Sequence, residues 1–263
     1  MRKIVPLASL LIFVFLVILI VAKPQPTALP IEFVSELETE EKDHFTACLL
    51  REDGNLMLLD IEKKSDENIY LYALKIYDHY RNSLPLKYQS PLKGNFEVKK
   101  LEKKGKDLEI ELEFLYLEEN FKLFLTALMW TYQNLGIENV HLKIGKENFH
   151  LKRDEIINPK IESTNPSKSV AQIIYYHEEE GVLPVTYLHE EDMTYFLLKK
   201  FIDPIPEATF TFENNSGLLI VNIVDPRHEV DLPLIDSIGF NLEKLGLYED
   251  IVIVKNGLLV YNN

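Results

Sequence analysis

The sequence predicts an α+β protein made of two tandem small α/β domains behind an N-terminal transmembrane helix. Apolar residues recur at steps of three and four along 121–135, and Gly136 follows at once, as in an amphipathic helix with a glycine C-cap. Residues 139–144 then alternate between polar and apolar side chains, which indicates a half-buried strand. The same order of patterns returns 110 residues later, so we predict a duplicated domain. Each copy is expected to be one mixed sheet packed by two helices.

The chain begins with an apolar run that is long enough to cross a membrane. Ile4 to Ala22 is 19 residues without a charge, and Arg2 and Lys3 precede it. A helix of this length covers about 28 Å, close to the thickness of a hydrocarbon core. The positive residues favour a cytoplasmic N-terminus. We predict a transmembrane signal anchor at 1–22, single-pass localisation in the cell membrane and extracytoplasmic C-terminal domains. A cleaved signal peptide is the alternative.

The rest of the chain divides by composition. Residues 23–44 hold three prolines and a glutamate-rich run, which predict an extended acidic stalk. Globular patterning covers 45–150 and returns over 170–263. Between them, 151–169 contains two prolines and an Asn-Pro-Ser turn signal, so we predict a linker there.

The first domain has the predicted order β-β-α-β-β-α-β. Asp53-Gly54 is a strong two-residue hairpin signal, and Asp66 is the predicted N-cap of the first helix. The elements expected from periodicity are strands 45–51 and 56–61, a helix over 69–80, strands 96–101 and 108–115, the helix over 121–135 and the strand over 139–144.

The second domain repeats that order. The expected elements are strands 172–177 and 182–188, a helix over 190–202, strands 208–213 and 218–224, a helix with an apolar stripe at Ile235, Ile238, Leu242 and Leu245, and a last strand over 251–254 that Asn256-Gly257 ends. The stripe lies 110 residues after Leu125, Leu128, Tyr132 and Leu135. We therefore expect the two stripes to occupy equivalent core positions.

The helix–glycine–strand segment carries a resemblance. The stretch from Thr126 to Gly145, TALMWTYQNLGIENVHLKIG, resembles the GerMN domain of bacterial sporulation and spore-germination proteins. The Asp53-Gly54 hairpin and the connection from Ser90 to Gly94 also match that pattern. The resemblance implies tandem modules like the ring-building domains of the mother cell–forespore channel, and it implies assembly rather than catalysis. The family's founding members are lipoproteins, whereas this chain has no cysteine beside its apolar run.

Charge is unevenly distributed and limits the partners. The chain carries a net charge of −14, and its second domain has 16 acidic residues against five basic ones. Nucleic acid is excluded because phosphate binding requires clustered Lys and Arg. We predict that the second domain docks on a basic envelope protein and that any self-assembly uses the first domain. A solvated acidic face is the alternative. The candidate partner-binding residues are Glu178, Glu179, Glu180, Glu190, Glu191 and Asp192.

No catalytic, cofactor-binding or metal-binding residue is predicted. Cys48 is the single cysteine and lies in an apolar strand pattern, so we expect a buried, inert thiol. His177 and His189 precede acidic residues but are too far apart in sequence for a two-histidine helical site. The isolated histidines His79, His141 and His228 are expected at the surface or as satisfied core groups. The sequence also contains no phosphate-binding glycine loop and no Gly-x-Ser-x-Gly elbow.

The function that these patterns favour is a non-enzymatic scaffold or assembly protein of the cell envelope, anchored in the membrane. The alternative is a module that binds an envelope ligand or wall glycan in the cleft between the domains. A wall hydrolase is a third hypothesis, which would require a cleft with converging titratable groups.

Overall fold

The computed structural model describes residues 44–117, 121–152, 156–227 and 231–263. The predicted anchor, the predicted stalk up to position 43, and His228 lie outside these ranges. Within the described ranges, no helix combines the length and the apolar composition that membrane crossing requires.

The described chain forms two structural repeats and a short strand between them. Repeat 1 contains β1 (His44–Arg51), β2 (Leu56–Glu62), α1 (Ile69–Lys75), β3 (Tyr88–Gln89), β4 (Gly94–Lys104), β5 (Asp107–Leu117), α2 (Phe121–Asn134), β6 (Asn139–Ile144) and β7 (Glu147–Lys152). The connecting strand is β8 (Lys160–Ile161). Repeat 2 contains β9 (Val170–Glu178), β10 (Gly181–His189), α3 (Met193–Ile202), β11 (Thr209–Asn215), β12 (Leu218–Val224), α4 (Leu232–Leu245), β13 (Asp250–Lys255) and β14 (Leu258–Asn262).

The predicted α+β class is confirmed, but the expectation of one sheet in each domain is wrong. Within each repeat, the last four long strands form a mixed sheet whose central pair is parallel and joined by a crossover helix. We call them sheet 1 (β4-β5-β6-β7) and sheet 2 (β11-β12-β13-β14). The two N-terminal hairpins form a third sheet, in the order β3-β1-β2-β10-β8 with β9 paired to β10. Each repeat also ends in one strand more than predicted, β7 and β14.

The two repeats share one strand register. In sheet 1 Asp107 pairs with Asn139, and in sheet 2 Leu218 pairs with Asp250, each 111 positions later. Both crossover helices end at a glycine with positive φ, Gly136 at 81° and Gly246 at 63°. Only glycine adopts this conformation without a Cβ penalty, so the cap is conserved between the two copies.

The predicted apolar stripes face the core in both copies. Leu128 and its counterpart Ile238 are fully buried, as are Tyr132 and Leu242. The other two pairs, Leu125 with Ile235 and Leu135 with Leu245, also contact the cores, although Leu125, Leu135 and Leu245 are only partly buried. Neither helix turns its stripe to solvent, which confirms the register predicted from the sequence.

The first helix differs from its predicted bounds. Its N-cap is Asn68 rather than Asp66, because the Asn68 Oδ1 accepts a hydrogen bond from the Tyr70 N–H at 2.9 Å. The α-helix ends at Lys75, since the amides of Tyr77 and Asp78 donate to carbonyls three residues earlier, those of Leu74 and Lys75. Cys48 is completely buried, as predicted, and burial raises the pKa of its thiol.

Candidate interaction surfaces

The two repeats are joined through their hairpins. Val182 of β10 pairs with Leu58 of β2, and Gly181 permits the approach, because a Cβ there would lie 2.3 Å from the Leu58 carbonyl oxygen. Asn158 joins the same edges with its amide. Its Oδ1 accepts from the Leu56 N–H at 2.8 Å, and its Nδ2 donates to the carbonyls of Leu56 and Pro184, each at 2.7 Å. These bonds make one continuous sheet across the repeats.

An aromatic cluster continues the core across the same boundary. The Tyr175 ring of repeat 2 lies 6.5 Å from the Trp130 ring of repeat 1 and packs edge-on against Phe240 at 5.6 Å. Tyr175 is buried among the core residues of repeat 1. Direct packing therefore occupies the boundary where the sequence analysis placed a ligand cleft.

The first predicted acidic group lies at the β9–β10 turn, where two of its members bind repeat 1 of the same chain. The Glu178 carboxylate lies 2.5 Å from the Arg51 guanidinium. Glu180 accepts hydrogen bonds from Lys87 Nζ at 2.6 Å and from the Tyr88 hydroxyl at 2.7 Å. The bond from Lys87 is the main reason that the pKa of Glu180 is lowered. Glu179, between them, is exposed.

The second acidic group lies at the other end of β10 and organises local structure. Glu190 Oε1 accepts from the Ser163 hydroxyl and from the Asn165 N–H, each at 2.7 Å, and the Ser163 bond is the first cause of the lowered Glu190 pKa. Glu191 pairs with Lys199 at 2.9 Å. Asp192 caps α3.

The two acidic groups are not brought together. Strand β10 separates them with nine residues. At about 3.3 Å per residue this is a distance of about 30 Å.

The open faces of the two four-stranded sheets differ in chemistry. In sheet 1, the face turned away from α2 carries charged side chains that pair with one another, for example Lys100 with Glu109 and Lys143 with Glu111, both at 2.7 Å. Five positions on this face are Glu109, Glu111, Glu113, His141 and Lys143, and their counterparts in sheet 2 are Ile220, Asn222, Val224, Val252 and Val254. We call the sheet 2 set the apolar open face. The same backbone therefore presents an ion-paired surface in one copy and an apolar one in the other.

This apolar surface extends to the rim of sheet 2. Val224 is 58% exposed, and Leu259, which lies opposite Val254, is 65% exposed. Beneath this rim, the buried Lys255 ammonium lies 2.8 Å from the buried Asp225 carboxylate. The hydrogen bond from Arg227 is the largest cause of the lowered Asp225 pKa, with Lys255 adding to it. A satisfied ion pair thus fixes the end of the sheet from which the apolar residues project.

The structure places one histidine differently from the sequence analysis. His141 is not isolated, because it lies directly opposite His150 on the neighbouring strand. The sequence contains a signal for this pairing, because Gly145-Lys146 can form a two-residue hairpin turn. Such a turn pairs Ile144 with Glu147, and the same register then places His141 opposite His150.

The other histidines stand apart from this pair. His177 packs edge-on against Phe240, and His189 is buried and stacked on Phe196 at 3.7 Å. Among residues 44–117, 121–152, 156–227 and 231–263, no group of three or more His, Cys, Asp or Glu side chains has an arrangement suited to a metal ion.

The fold class is therefore a tandem pair of α+β modules, each built from a hairpin, a mixed sheet and a crossover helix. This is the tandem GerMN fold. The solved structure of the tandem GerMN domains of the sporulation protein GerM from Bacillus subtilis matches with a TM-score of 0.62 at 15% identity, over 82% of this chain and 91% of that one. The first GerMN domain of GerM matches with a TM-score of 0.34 at 18% identity, over 41% of this chain and 86% of that one. No protein-family model and no curated protein sequence matches significantly.

Proposed function

We propose that the chain is a non-enzymatic scaffold or assembly protein of the bacterial envelope, acting in sporulation or germination. The fold that it shares with tandem GerMN domains of a sporulation protein supports the developmental role. The apolar run from Ile4 to Ala22 supports a membrane anchor, with the two repeats outside the cytoplasm.

The observation that carries this proposal is the apolar open face. It joins the exposed Val224 to the half-buried Ile220, Val252 and Val254, and an apolar patch on a domain surface is typical of a protein contact site. Repeat 1 is an internal reference, because it builds the same sheet with Glu109, Glu113, His141 and Lys143 at the matching positions. The fold therefore does not require an apolar surface there, and a partner that covers it gives the reason for its composition.

Photo-crosslinking at matched positions tests this surface. A photoreactive amino acid would replace Val224 in one full-length variant and Glu113, its counterpart in repeat 1, in another. In sporulating cells we expect a protein adduct from position 224 and little from position 113. Adducts of equal yield at the two positions, or none at 224, would refute the apolar open face as the contact surface.

A second experiment gives repeat 2 the surface of repeat 1. The double variant Ile220→Glu and Val224→Glu introduces the residues that occupy the matching positions of sheet 1. We expect at most a small change in the thermal unfolding midpoint, because Val224 is exposed and Ile220 is half-buried on the open face, together with loss of spore formation or germination. Full function in a folded double variant would show that the scaffold role does not use this surface.

Membrane anchoring is tested by fractionation. We expect the full chain to resist alkaline extraction and its repeats to be digested when protease is added to intact cells. A soluble product with the mass of a chain lacking residues 1–22 would instead indicate a cleaved signal peptide.

We also propose that the partner is basic and that self-assembly, where it occurs, uses repeat 1. Glu178 and Glu180 already face Arg51 and Lys87 within the chain, so the exposed Glu179 is the best probe at that end. Charge reversal by Glu179→Lys should slow partner association and reduce its salt dependence, whereas Glu147→Lys on the exposed part of repeat 1 should not. Identical association rates for the two variants would exclude this acidic group from docking.

A further inference from the structure

His141 on β6 and His150 on β7 form a directly opposed pair on the open face of sheet 1. Their Nδ1 atoms are 3.2 Å apart and their ring centroids 4.6 Å apart. Both side chains are exposed, so the space in front of the two nitrogens is open to solvent. Directly opposite residues of antiparallel strands have Cβ atoms only about 5 Å apart, which lets both imidazoles reach a common point.

We propose that His141 and His150 bind a divalent transition-metal ion such as Zn²⁺, Cu²⁺ or Ni²⁺, with water in the remaining coordination positions. Imidazole nitrogen binds Zn²⁺ at about 2.0–2.1 Å, so two ligands of a tetrahedral ion are about 3.3–3.4 Å apart. The observed Nδ1 separation of 3.2 Å is close to this value. An ion thus fits between the two nitrogens with a small outward rotation of the rings.

The backbone holds the pair in this position. The β6–β7 hairpin closes at Ile144 and Glu147 and keeps a continuous antiparallel register through His141 and His150. Leu142, beside His141, is buried under the sheet and fixes which face β6 presents. Ligands held on paired strands are better preorganised than ligands on a loop, so little ordering is needed when the ion binds.

Three lysines near the histidine pair are themselves paired with carboxylates. Glu109 lies beside His141 in the parallel register of β5 and β6, and its carboxylate accepts hydrogen bonds from Lys100 at 2.7 Å and Lys104 at 3.0 Å. These bonds lower the pKa of Glu109 to about 2, with Lys100 the larger contribution. Lys143 pairs with Glu111 in the same way. The ammonium groups of Lys100, Lys104 and Lys143 are therefore neutralised, and Glu109 is engaged elsewhere and is not counted as a ligand.

The site belongs to repeat 1 alone. The matching cross-strand pair in sheet 2 is Val252 and Asn262, which offers no imidazole. Ligand chemistry also restricts the ion, because imidazole favours Zn²⁺, Cu²⁺ and Ni²⁺ whereas Mg²⁺ and Ca²⁺ favour oxygen. The carboxylates elsewhere on the chain favour Mg²⁺ and Ca²⁺. An experiment in excess Mg²⁺ can therefore separate Zn²⁺ binding at the histidines from binding at carboxylates.

Calorimetric titration of the full chain with Zn²⁺, without a polyhistidine tag and in saturating Mg²⁺ to occupy carboxylates, tests the site. We expect one Zn²⁺ per chain, bound more weakly than at a four-ligand structural site because only two ligands come from the protein. His141→Asn and His150→Asn should each weaken binding at least about tenfold, because each removes half of the protein ligands. His177→Asn, on repeat 2, is the matched control and should bind like the wild type.

A second measurement separates loss of the site from loss of the fold. Each variant should keep the thermal unfolding midpoint of the metal-free wild type, and Zn²⁺ should raise the midpoint of the wild type and of His177→Asn only. NMR of the imidazole nitrogens should show shifts at positions 141 and 150 on adding Zn²⁺. Zinc binding that survives both His141→Asn and His150→Asn, or no binding at millimolar Zn²⁺, would overturn the proposal.

Discussion

Thr131 on α2 and Asn241 on α4 hold equivalent positions and make the same contact in the two repeats. The Thr131 Oγ1 accepts a hydrogen bond from the Cys48 N–H of β1 at 2.8 Å. The Asn241 Oδ1 accepts from the Tyr175 N–H of β9 at 2.7 Å, and its Nδ2 donates to the Tyr175 carbonyl at 2.8 Å. Each crossover helix therefore covers the outer edge of a hairpin strand with one polar side chain, which protects that edge from pairing with other chains.

Removing either polar group should destabilise the protein. Thr131→Val and Asn241→Leu would leave backbone groups of Cys48 and Tyr175 buried without a partner, at a cost of about 1–3 kcal/mol each. Urea unfolding measures the loss. Thr126→Val is the control on the same helix, because its hydroxyl donates to the carbonyl of Lys122 within α2. Equal effects of Thr126→Val and Thr131→Val would contradict the role given to Thr131.

The contact between the repeats should depend on Gly181. In Gly181→Ala the new Cβ would lie 2.3 Å from the Leu58 carbonyl oxygen, so we expect a loss of about 1–3 kcal/mol and partial separation of the repeats. The single tryptophan, Trp130, packs near Tyr175 at this boundary, and its fluorescence should shift to the red.

The matched control is Gly54, which lies in the equivalent turn of repeat 1. Its φ is +87°, and among the described residues no atom lies within 4 Å of the position that a Cβ would occupy. Gly54→Ala should cost about 1–2 kcal/mol through backbone strain alone and should leave the emission of Trp130 unchanged. A red shift in Gly54→Ala of the same size would show that the emission does not report on the contact between repeats.

Acid should destabilise the fold through His189. This side chain is 2% exposed, and burial is the main reason that its pKa is lowered, with Lys200 acting in the same direction and Glu191 and Glu162 opposing. The unfolded chain therefore binds a proton that the folded chain does not. The stabilising effect of neutral His189 is complete above about pH 6.5 and is lost as the pH falls, with a slope of at most about 1.4 kcal/mol per pH unit.

Hydrogen bonding sets which nitrogen of the buried His189 ring carries its proton. The Gln172 Nε2 donates to the Met193 carbonyl, which turns its Oε1 toward the His189 Nε2 at 2.8 Å. The Nε2 must then carry the proton, and the buried Nδ1 has no hydrogen-bond partner among the described residues. Chemical unfolding between pH 7.5 and 5 should show a shallower slope for His189→Gln than for the wild type, while His177→Gln keeps the wild-type slope. Parallel curves for all three proteins would assign the acid effect to other groups.

The Cys48 thiol should be unreactive in the folded protein. It is fully buried, and desolvation raises its pKa, so almost no thiolate forms at pH 8. A thiol-reactive disulfide reagent should modify it only at the rate of opening or unfolding, and at once in denaturant. Rapid modification of the native protein would place the thiol in an accessible site.

Core truncation should affect the two repeats alike. Leu128→Ala and Ile238→Ala remove completely buried side chains from equivalent helix positions, and each should cost about 2–5 kcal/mol in urea unfolding. Leu125→Ala, at a partly buried position, should cost less than Leu128→Ala. A larger cost at Leu125 would mean that α2 is rotated about its axis.

Local patterns predicted most of the elements in both repeats, and the errors have local causes. Asn256-Gly257 was predicted only to end a strand. Both residues have positive φ, 51° and 80°, which is the conformation of a two-residue hairpin turn, and so the chain continues into β14. The equivalent strand β7 was missed because its two half-buried residues, Phe149 and Leu151, give a weak alternation.

Contacts between distant segments could not be predicted from local sequence patterns. Pairing of β2 with β10 depends on Gly181, where a Cβ would clash with Leu58. A single glycine of this kind leaves no periodic pattern in the sequence from which the pairing could be predicted. The acidic residues Glu178 and Glu180 looked free in sequence because Arg51 and Lys87 lie far away along the chain. The apolar open face became visible only when the register of sheet 2 was compared with that of sheet 1.

The pairing of β2 with β10 joins two strands that are synthesised at different times. Leu58 and its partner Val182 are 124 residues apart, so the second strand leaves the ribosome well after the first. At about 5–20 residues per second the delay is roughly 6–25 s. During this interval the edge of β2 that will pair with β10 has no partner strand in its own chain. The order of translation thus makes the early chain the state most exposed to strand exchange between molecules.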